Sequence, residues 1–208
     1  MSSESDIERR TVEFPSADGI ALVGDLAVPG DVRGGAVVCH PHPGYGGDRF
    51  NHVVTSLYEA LPGAAIAALR FDFRAAFGDG VGEQQDALGA LDELTATVGD
   101  LPLTMVGYSF GAWIVASLTD ERIAASVLVA PPLAVMPPVP VPRRPTLVLT
   151  PEHDQLSPPA ANEPITASWT AAGDTIVEHH VIAMADHSLV GRTAAVASRT
   201  TTWLADHL

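Results

Sequence analysis

Short apolar runs alternate with longer amphipathic segments along most of the chain. An apolar run bounded by turn residues is typical of a buried strand, whereas apolar positions that recur every three or four residues are typical of a helix. The predicted strands are residues 36–39, 64–71, 103–106, 124–129, 146–150 and 175–182. The predicted helices are residues 83–98, 112–118 and 190–206. This alternation indicates an α/β fold, with a mainly parallel sheet and helices on both of its faces.

The beginning of the chain has a different pattern. Residues 11–14 and 20–28 are strand-like and flank the turn sequence Ser-Ala-Asp-Gly at residues 16–19. This arrangement predicts an antiparallel strand pair. The chain of 208 residues contains no evident linker or internal repeat, so we expect residues 1–208 to form a single domain.

A serine lies on the sharp turn that the pattern predicts between a strand and a helix. Residues 107–111 are Gly-Tyr-Ser-Phe-Gly, with an apolar run before them and an amphipathic run after them. Small flanking residues let two backbone segments pass closely, and such a turn projects the serine hydroxyl from the end of the sheet. Ser109 is therefore a candidate nucleophile.

A serine hydroxyl is a weak nucleophile at neutral pH, so it needs a histidine base and a carboxylate that orients the base. His187 is the candidate base, because it lies on the loop after the predicted strand at residues 175–182. Asp154 is the candidate acid, because it lies on the loop after residues 146–150. The carboxyl ends of parallel strands meet at one edge of the sheet, where ligands of open α/β folds bind.

Two other carboxylates lie near these residues in the sequence. Glu152 is two positions before Asp154, and Asp186 adjoins His187. Short acidic side chains commonly cap their own loops. We interpret Asp186 in this way and prefer Asp154 as the orienting acid. The histidines at positions 153, 179 and 180 are interpreted as solvent-facing or strand residues without a chemical role.

Acyl transfer also requires N–H groups that stabilise the negative charge on the substrate oxygen. Phe110, directly after the candidate nucleophile, is expected to supply one from its backbone. The other is expected from the loop after residues 36–39, where Pro41 and Pro43 have no N–H to donate. The backbone of His42 is the preferred second donor, and Gly44 is the alternative.

The same loop could instead suggest a metal site, since it carries His40 and His42 with Asp48 and His52 nearby. However, side chains at positions i and i+2 of an extended backbone point apart, and no further ligand cluster is spaced to complete a coordination shell. We therefore predict no metal and no cofactor. The two rings are expected to shape the loop through hydrogen bonds.

A charged cluster lies at the end of the predicted strand at residues 64–71, with Arg70, Asp72 and Arg74 at alternate positions. The preferred interpretation is a local ion-pair network that holds the loop. The alternative is that one of these arginines recognises a carboxylate of the substrate.

Four motifs, in this order, resemble those of the small, lidless α/β-hydrolases of the dienelactone-hydrolase-like group. They are His-Pro-His-Pro-x-x-Gly-Gly at residues 40–47, Leu-Arg-Phe-Asp-Phe-Arg at 69–74, the serine turn at 107–111 and Ala-Asp-His at 185–187. The resemblance spans residues 20–205 and implies an α/β-hydrolase fold, a triad of Ser109, Asp154 and His187, and esterase-type activity. The chain departs from the group at residues 75–77 and at Pro151, where relatives usually have glycine.

Larger hydrolases insert a helical lid after the strand that corresponds to residues 124–129. Here the connection at residues 130–145 is short and rich in proline, which predicts that there is no lid domain. Tyr45, Phe77 and Tyr108 are the candidate substrate-binding residues. Of these, Tyr45 and Tyr108 are expected to be partly exposed at the sheet edge.

Composition and charge argue against several other functions. The formal net charge is −14, and the 11 basic residues are all arginines, adjacent only at residues 9–10 and 143–144. Nucleic acids and anionic membrane surfaces attract clustered cations, so neither is expected as a partner. No apolar run approaches the roughly 18 residues of a membrane span, and the polar, acidic N-terminus does not resemble a signal peptide. The single cysteine, Cys39, is interpreted as a buried thiol, and a cytoplasmic location is expected.

These features predict a serine hydrolase that cleaves a carboxylic ester of a small molecule through an acyl-enzyme. The same residues would suit a thioester, an amide or an acyl acceptor other than water. A non-catalytic α/β-hydrolase scaffold that binds a partner is a more distant alternative. The sequence predicts no particular oligomeric state.

Overall fold

The computed structural model describes residues 6–173 and 175–208. Its strands are β1 (Ile7–Pro15), β2 (Ala21–Pro29), β3 (Gly34–Cys39), β4 (Ile66–Phe71), β5 (Leu103–Tyr108), β6 (Ile123–Val129), β7 (Thr146–Pro151) and β8 (Val177–Ile182). Its helices are α1 (His52–Ala60), α2 (Val81–Val98), α3 (Phe110–Ser117), α4 (Pro159–Ala172) and α5 (Thr193–His207). Within these residues the strands form one eight-stranded sheet in the order β1-β2-β4-β3-β5-β6-β7-β8.

The strand directions follow the predicted pattern. β1 and β2 form the antiparallel hairpin around residues 16–19, and β2 also runs antiparallel to β4. The strands from β4 through β3, β5, β6 and β7 to β8 pair in parallel. The expectation of a mainly parallel sheet is therefore confirmed. The strand order reverses direction at β3, which places the ends of β3 and β5 side by side where such folds bind ligands.

Apolar cores lie on both faces of the sheet because strand side chains alternate between the faces. In β3, Val37 and Cys39 join the core beneath α2, α3 and α4, whereas Ala36 and Val38 join the core beneath α1 and α5. Every residue of β3 is buried, which explains its unbroken apolar sequence. The prediction of a buried Cys39 is confirmed, and burial raises the pKa of its thiol.

The hydrophobic pattern does not predict α1 or α4. α1 has only nine residues, and the signal for it is Asn51, whose side chain accepts a hydrogen bond from the Val53 N–H at the helix start. α4 contains Pro164 in its interior, and two of its three buried residues, Asn162 and Thr166, are polar. A helix with such a small apolar face has little periodicity to detect.

Two elements begin three or more residues away from their predicted starts. β1 begins at Ile7 rather than at residue 11, because the exposed polar residues at its start are held by backbone pairing with β2. The last helix begins at Thr193 rather than at residue 190. The last helix does not begin earlier because Gly191 has a left-handed backbone conformation, with a φ of 74°.

Residues 130–145 contain no helix, which agrees with the expected absence of a lid. The segment contacts α3, because the Trp113 indole N–H donates to the Pro137 carbonyl at 2.9 Å, and Leu133 within the segment is buried.

Among the described residues, none of the helices has the length and apolar character needed to cross a membrane.

Candidate active site

Ser109 lies between β5 and α3. Its backbone has a positive φ, a conformation that residues other than glycine rarely adopt. Its φ is 53° and its ψ is −118°. The neighbouring glycines permit this turn. A Cβ on Gly107 would overlap the carbonyl oxygen of Gly111, and a Cβ on Gly111 would overlap the carbonyl oxygen of Cys39. The motif therefore brings the start of α3 against the end of β3, and the strain is localised at the candidate nucleophile.

Gly111→Ala is expected to lower the free energy of unfolding by about 2 kcal/mol or more, because the added methyl group meets backbone that cannot move aside. Gly63→Ala is a matched control, because nothing lies within 4 Å of the position of its Cβ. Thermal unfolding of the two variants measures the difference. Equal unfolding midpoints would show that the contact between α3 and β3 can relax.

Ser109, His187 and Asp154 form a continuous chain of hydrogen bonds. Ser109 Oγ lies 2.9 Å from His187 Nε2, and His187 Nδ1 lies 2.8 Å from Asp154 Oδ2. The Asp154 side chain is fully buried, whereas 27% of the His187 side chain is exposed. The structure thus brings together the three residues that the sequence nominates, at the carboxyl ends of β5, β7 and β8.

Neighbouring backbone N–H groups determine which oxygen of the Asp154 carboxylate faces His187. Its Oδ1 accepts hydrogen bonds from the N–H groups of Leu156 and Ser157, both at 2.9 Å, which leaves Oδ2 for His187. A carboxylate oxygen can only accept a hydrogen bond, so His187 Nδ1 carries the ring proton. The Nε2 lone pair then faces Ser109 Oγ, which is the arrangement that a general base requires.

The other two candidate acids are engaged elsewhere. Asp186 Oδ1 accepts hydrogen bonds from the N–H and hydroxyl of Ser188, so it caps its own loop as interpreted. The hydrogen bonds from Ser188 hold the pKa of Asp186 below its usual value. Glu152 Oε2 accepts the Met184 N–H at 2.7 Å. The structure therefore pairs the imidazole of His187 with Asp154.

Tyr108 is buried and packs against His187. Its ring stacks on the imidazole with centroids 5.9 Å apart, and its hydroxyl donates to the His187 carbonyl at 2.8 Å. Only 4% of Tyr108 is exposed, so the expectation that this side chain is partly exposed is wrong. The hydroxyl finds its partner inside the protein, which lets the whole residue be buried. Burial, with the charges of Asp154 and Asp186, raises the pKa of Tyr108 to about 12.

The backbone donors that the sequence nominates differ in their hydrogen bonding. Among the described residues, no acceptor is paired with the N–H of Phe110 or the N–H of His42. The N–H of Gly44, by contrast, donates to His42 Nδ1 at 3.0 Å. The hydrogen bonding therefore favours His42 over Gly44 as the second donor to a substrate oxygen.

Aromatic side chains surround the imidazole of His42. The ring centroids of Tyr45, Phe77 and Phe110 lie 5.0, 4.6 and 4.8 Å from that of His42. Tyr45 is 91% exposed and Phe77 is 46% exposed, whereas Phe110 is buried. Tyr45 is thus exposed, as expected. Together, Tyr45 and Phe77 form an apolar surface against the imidazole of His42.

The arginines at and just after the end of β4 are held in ion pairs. Arg74 Nη2 lies 2.8 Å from Asp86 Oδ1 and 2.6 Å from Asp18 Oδ1. Arg70 Nε lies 3.1 Å from Asp25 Oδ2. These contacts support the interpretation as a local ion-pair network. Recognition of a substrate carboxylate by either arginine would have to break existing ion pairs.

The histidine rings outside the triad have other neighbours. His40 Nδ1 lies 2.6 Å from the Pro41 carbonyl oxygen within the loop, and His40 Nε2 accepts the Phe73 N–H at 3.0 Å. His179 Nε2 lies 2.9 Å from Thr150 Oγ1, His180 bonds to Arg199, and His153 is exposed. In the part of the chain that the structure describes, no three His, Cys, Asp or Glu side chains are grouped to hold a metal ion.

A cavity of about 740 Å³ lies away from the triad. Its lining comes from the end of α3, the loop that follows it, β6, residues 140–144 and the first residue of β7. It includes none of the three triad residues. The candidate site is therefore the surface around Ser109, not this cavity.

The chain was compared with known proteins by sequence. No protein-family model matches it. It is 38% identical over 111 residues to an uncharacterised protein of Rickettsia prowazekii (strain Madrid E). The match covers 50% of this chain and 45% of that protein, so the aligned part spans less than half the length of the relative.

Solved structures resemble the chain over nearly its whole length. A protein of unknown function from Agrobacterium tumefaciens, named as a candidate α/β-hydrolase, is 25% identical with a TM-score of 0.85 and covers 94% of each chain. A serine hydrolase without a lid from Xanthomonas campestris is 23% identical, with a TM-score of 0.80 and coverage of 94% of this chain and 93% of that one. Dienelactone hydrolase from Anabaena variabilis is 22% identical, with a TM-score of 0.79 and coverage of 97% and 99%.

The chain therefore has the α/β-hydrolase fold. Its structural neighbours include a serine hydrolase without a lid and a dienelactone hydrolase, which confirms the resemblance that the sequence motifs indicate. The Agrobacterium protein, at 25% identity, supports a hydrolase as the general class of the protein.

Proposed function

We propose that the protein is a serine hydrolase that cleaves a carboxylic ester of a small molecule through an acyl-enzyme. The observation that carries the proposal is the hydrogen-bonded chain from Ser109 through His187 to Asp154. The unpaired N–H groups of Phe110 and His42, among the described residues, add the donors that acyl transfer needs. The neighbouring serine hydrolase without a lid supports the same class of reaction.

The first half of the reaction forms the acyl-enzyme. His187 Nε2 takes the hydroxyl proton as Ser109 Oγ attacks the carbonyl carbon of the ester. The carbonyl oxygen becomes negatively charged and accepts hydrogen bonds from the N–H groups of Phe110 and His42. Asp154 stabilises the imidazolium. The bond to the alcohol then breaks, and His187 gives its proton to the leaving oxygen.

The second half releases the acid. Water attacks the acyl carbon while His187 Nε2 takes one of its protons. The same two N–H groups stabilise the second oxyanion. When this intermediate collapses, the bond to Ser109 Oγ breaks and His187 returns the proton to the serine, so that the free acid leaves and the enzyme is restored.

A fluorophosphonate probe and a matched substrate set test the proposal. The probe is expected to label the native protein and to leave Ser109→Ala unlabelled, because it reacts with an activated serine. An ester, a thioester and an anilide with the same acyl group should then be hydrolysed fastest as the ester. Faster turnover of the thioester or the anilide would change the proposed substrate class. A native protein that is not labelled would favour a non-catalytic scaffold.

Short acyl chains are expected to be the best substrates. Residues 130–145 contain no helix that could cover the site, and Tyr45 and Phe77 narrow it from one side. A long chain contributes about 0.8 kcal/mol per methylene only where that methylene is buried. The value of kcat/KM for p-nitrophenyl esters should therefore peak at about two to four acyl carbons and fall by about eight.

The same series includes its own control. Initial rates measured below and above the micelle concentration of the longer esters should show no jump, since no lid has to open at an interface. A rate that rises steadily up to about twelve acyl carbons would contradict a shallow, open site.

A further inference from the structure

His40 is a buried polar residue that the proposed reaction does not use. It follows β3 directly, at the base of the loop that carries His42, and only 1% of it is exposed. Its ring packs edge-on against Phe73, with centroids 4.6 Å apart. A histidine in such a place must satisfy both of its ring nitrogens inside the protein.

The two partners of His40 specify one tautomer. Its Nδ1 lies 2.6 Å from the Pro41 carbonyl oxygen, and its Nε2 lies 3.0 Å from the Phe73 backbone nitrogen. A carbonyl oxygen can only accept and a backbone N–H can only donate, so Nδ1 carries the proton and Nε2 holds the lone pair. Burial lowers the pKa of His40, although the Pro41 carbonyl and nearby Asp72, Asp48 and Asp86 oppose this.

The Pro41 carbonyl belongs to the same peptide group as the His42 N–H. A trans peptide group is planar, and its C=O and N–H point in opposite directions. A hydrogen bond that holds the carbonyl therefore also sets the direction of the N–H. The following carbonyl, that of His42, is held separately by the N–H groups of Tyr45 and Gly47, each at 3.1 Å.

We propose that His40 is a positioning residue for the oxyanion site: its neutral imidazole holds the Pro41–His42 peptide so that the His42 N–H faces the substrate oxygen. The hydrogen bond from the Phe73 N–H to His40 Nε2 keeps the imidazole ring in this orientation. A donor held in place before the charge develops stabilises it without further reorganisation. A hydrogen bond to the carbonyl also polarises the peptide group and strengthens its N–H as a donor. The inference rests on the proposed function, because it assigns a role within that reaction.

Two substitutions separate this role from a purely structural one. In His40→Asn the amide NH₂ can take the place of Nδ1 and keep the bond to the Pro41 carbonyl, while the bond from Phe73 is lost. In His40→Gln the side-chain oxygen can take the place of Nε2 and keep the Phe73 bond, while the bond to Pro41 is lost. Each variant loses one of two buried hydrogen bonds, so the structural loss is matched.

The two variants are expected to differ in kcat. His40→Gln should lower kcat by about 30- to 100-fold, because one oxyanion donor is no longer aligned, whereas His40→Asn should lower it by no more than about 5-fold. KM should change by no more than about 3-fold in both, since the ground-state carbonyl depends little on this donor. The affinity for a boronic acid, which forms a tetrahedral adduct with the serine, should fall in parallel with kcat.

Equal losses of kcat in the two variants, or a larger loss in His40→Asn, would overturn the proposal. If the variants do not fold, nitrogen-15 spectra of histidine in the native protein decide instead. A proton on Nδ1 and an unprotonated Nε2 are expected at the pH of the assay, and the opposite tautomer or an imidazolium would overturn the proposal. Fluorophosphonate labelling of the native protein is measured separately, so a failure of the proposed function is distinguished from a failure of the role of His40.

Discussion

Ser109→Ala is expected to lower kcat for ester hydrolysis by a factor of about 1,000 or more while the protein remains folded. Only the hydroxyl that bonds to His187 Nε2 is removed, and the backbone N–H groups around the site are unchanged. Turnover of a short p-nitrophenyl ester by the purified variant measures the loss. Thermal unfolding shows whether the fold is retained.

Ser117→Ala is the matched control for this variant. Ser117 lies at the end of the same helix, α3, and its hydroxyl donates to the Trp113 carbonyl at 2.9 Å. Removing that hydroxyl should leave turnover close to that of the native protein. Near-native activity of Ser109→Ala, free of contaminating esterase, would contradict the assignment of the nucleophile.

Asp154→Asn is expected to reduce kcat by about 10³- to 10⁴-fold. Oδ1 of Asp154 accepts two backbone N–H bonds, so the amide oxygen of the asparagine should stay there and its NH₂ should face His187. An NH₂ donor requires the lone pair on Nδ1, which places the ring proton on Nε2, facing Ser109. The imidazole in that tautomer cannot accept the serine proton, and the imidazolium also loses its counter-charge.

Asp186→Asn is the comparison that makes this result specific. Asp186 bonds to Ser188 within its own loop, so we expect a change in kcat of less than about 3-fold. Both variants are measured with the same ester. A larger loss in Asp186→Asn would move the orienting acid to that residue, and equal small losses would mean that neither carboxylate is the partner of His187.

Much of the fold can be predicted from local patterns. The apolar runs at β3, β5 and β7 are fully buried, so each has a sequence signal strong enough to locate it. α4 escapes detection because it buries mainly polar residues. Asn162, for example, is buried, and one of its partners is the Pro131 carbonyl, 31 residues away, which no local window contains.

The triad can be nominated from the sequence because each member follows a recognisable strand. The environment of each member cannot be predicted in this way. The sequence predicts that Tyr108 is partly exposed, but its hydroxyl donates to the carbonyl of His187, 79 residues along the chain. The choice between His42 and Gly44 likewise depends on a ring hydrogen bond to the Gly44 N–H that only the folded loop shows. Contacts between residues that are distant in sequence cannot be predicted from the sequence alone.

In the proposed mechanism, the two oxyanion donors are main-chain atoms of residues whose side chains meet in the aromatic cluster beside the site. The rings of His42 and Phe110 lie 4.8 Å apart, and the exposed Phe77 contacts both. Substitutions of these side chains can therefore alter which acyl groups are accepted without deleting either donor. Substrate range then depends on the side-chain atoms of these residues, whereas the rate enhancement depends on their main-chain atoms. New substrate preferences can therefore evolve while the catalytic chemistry is retained.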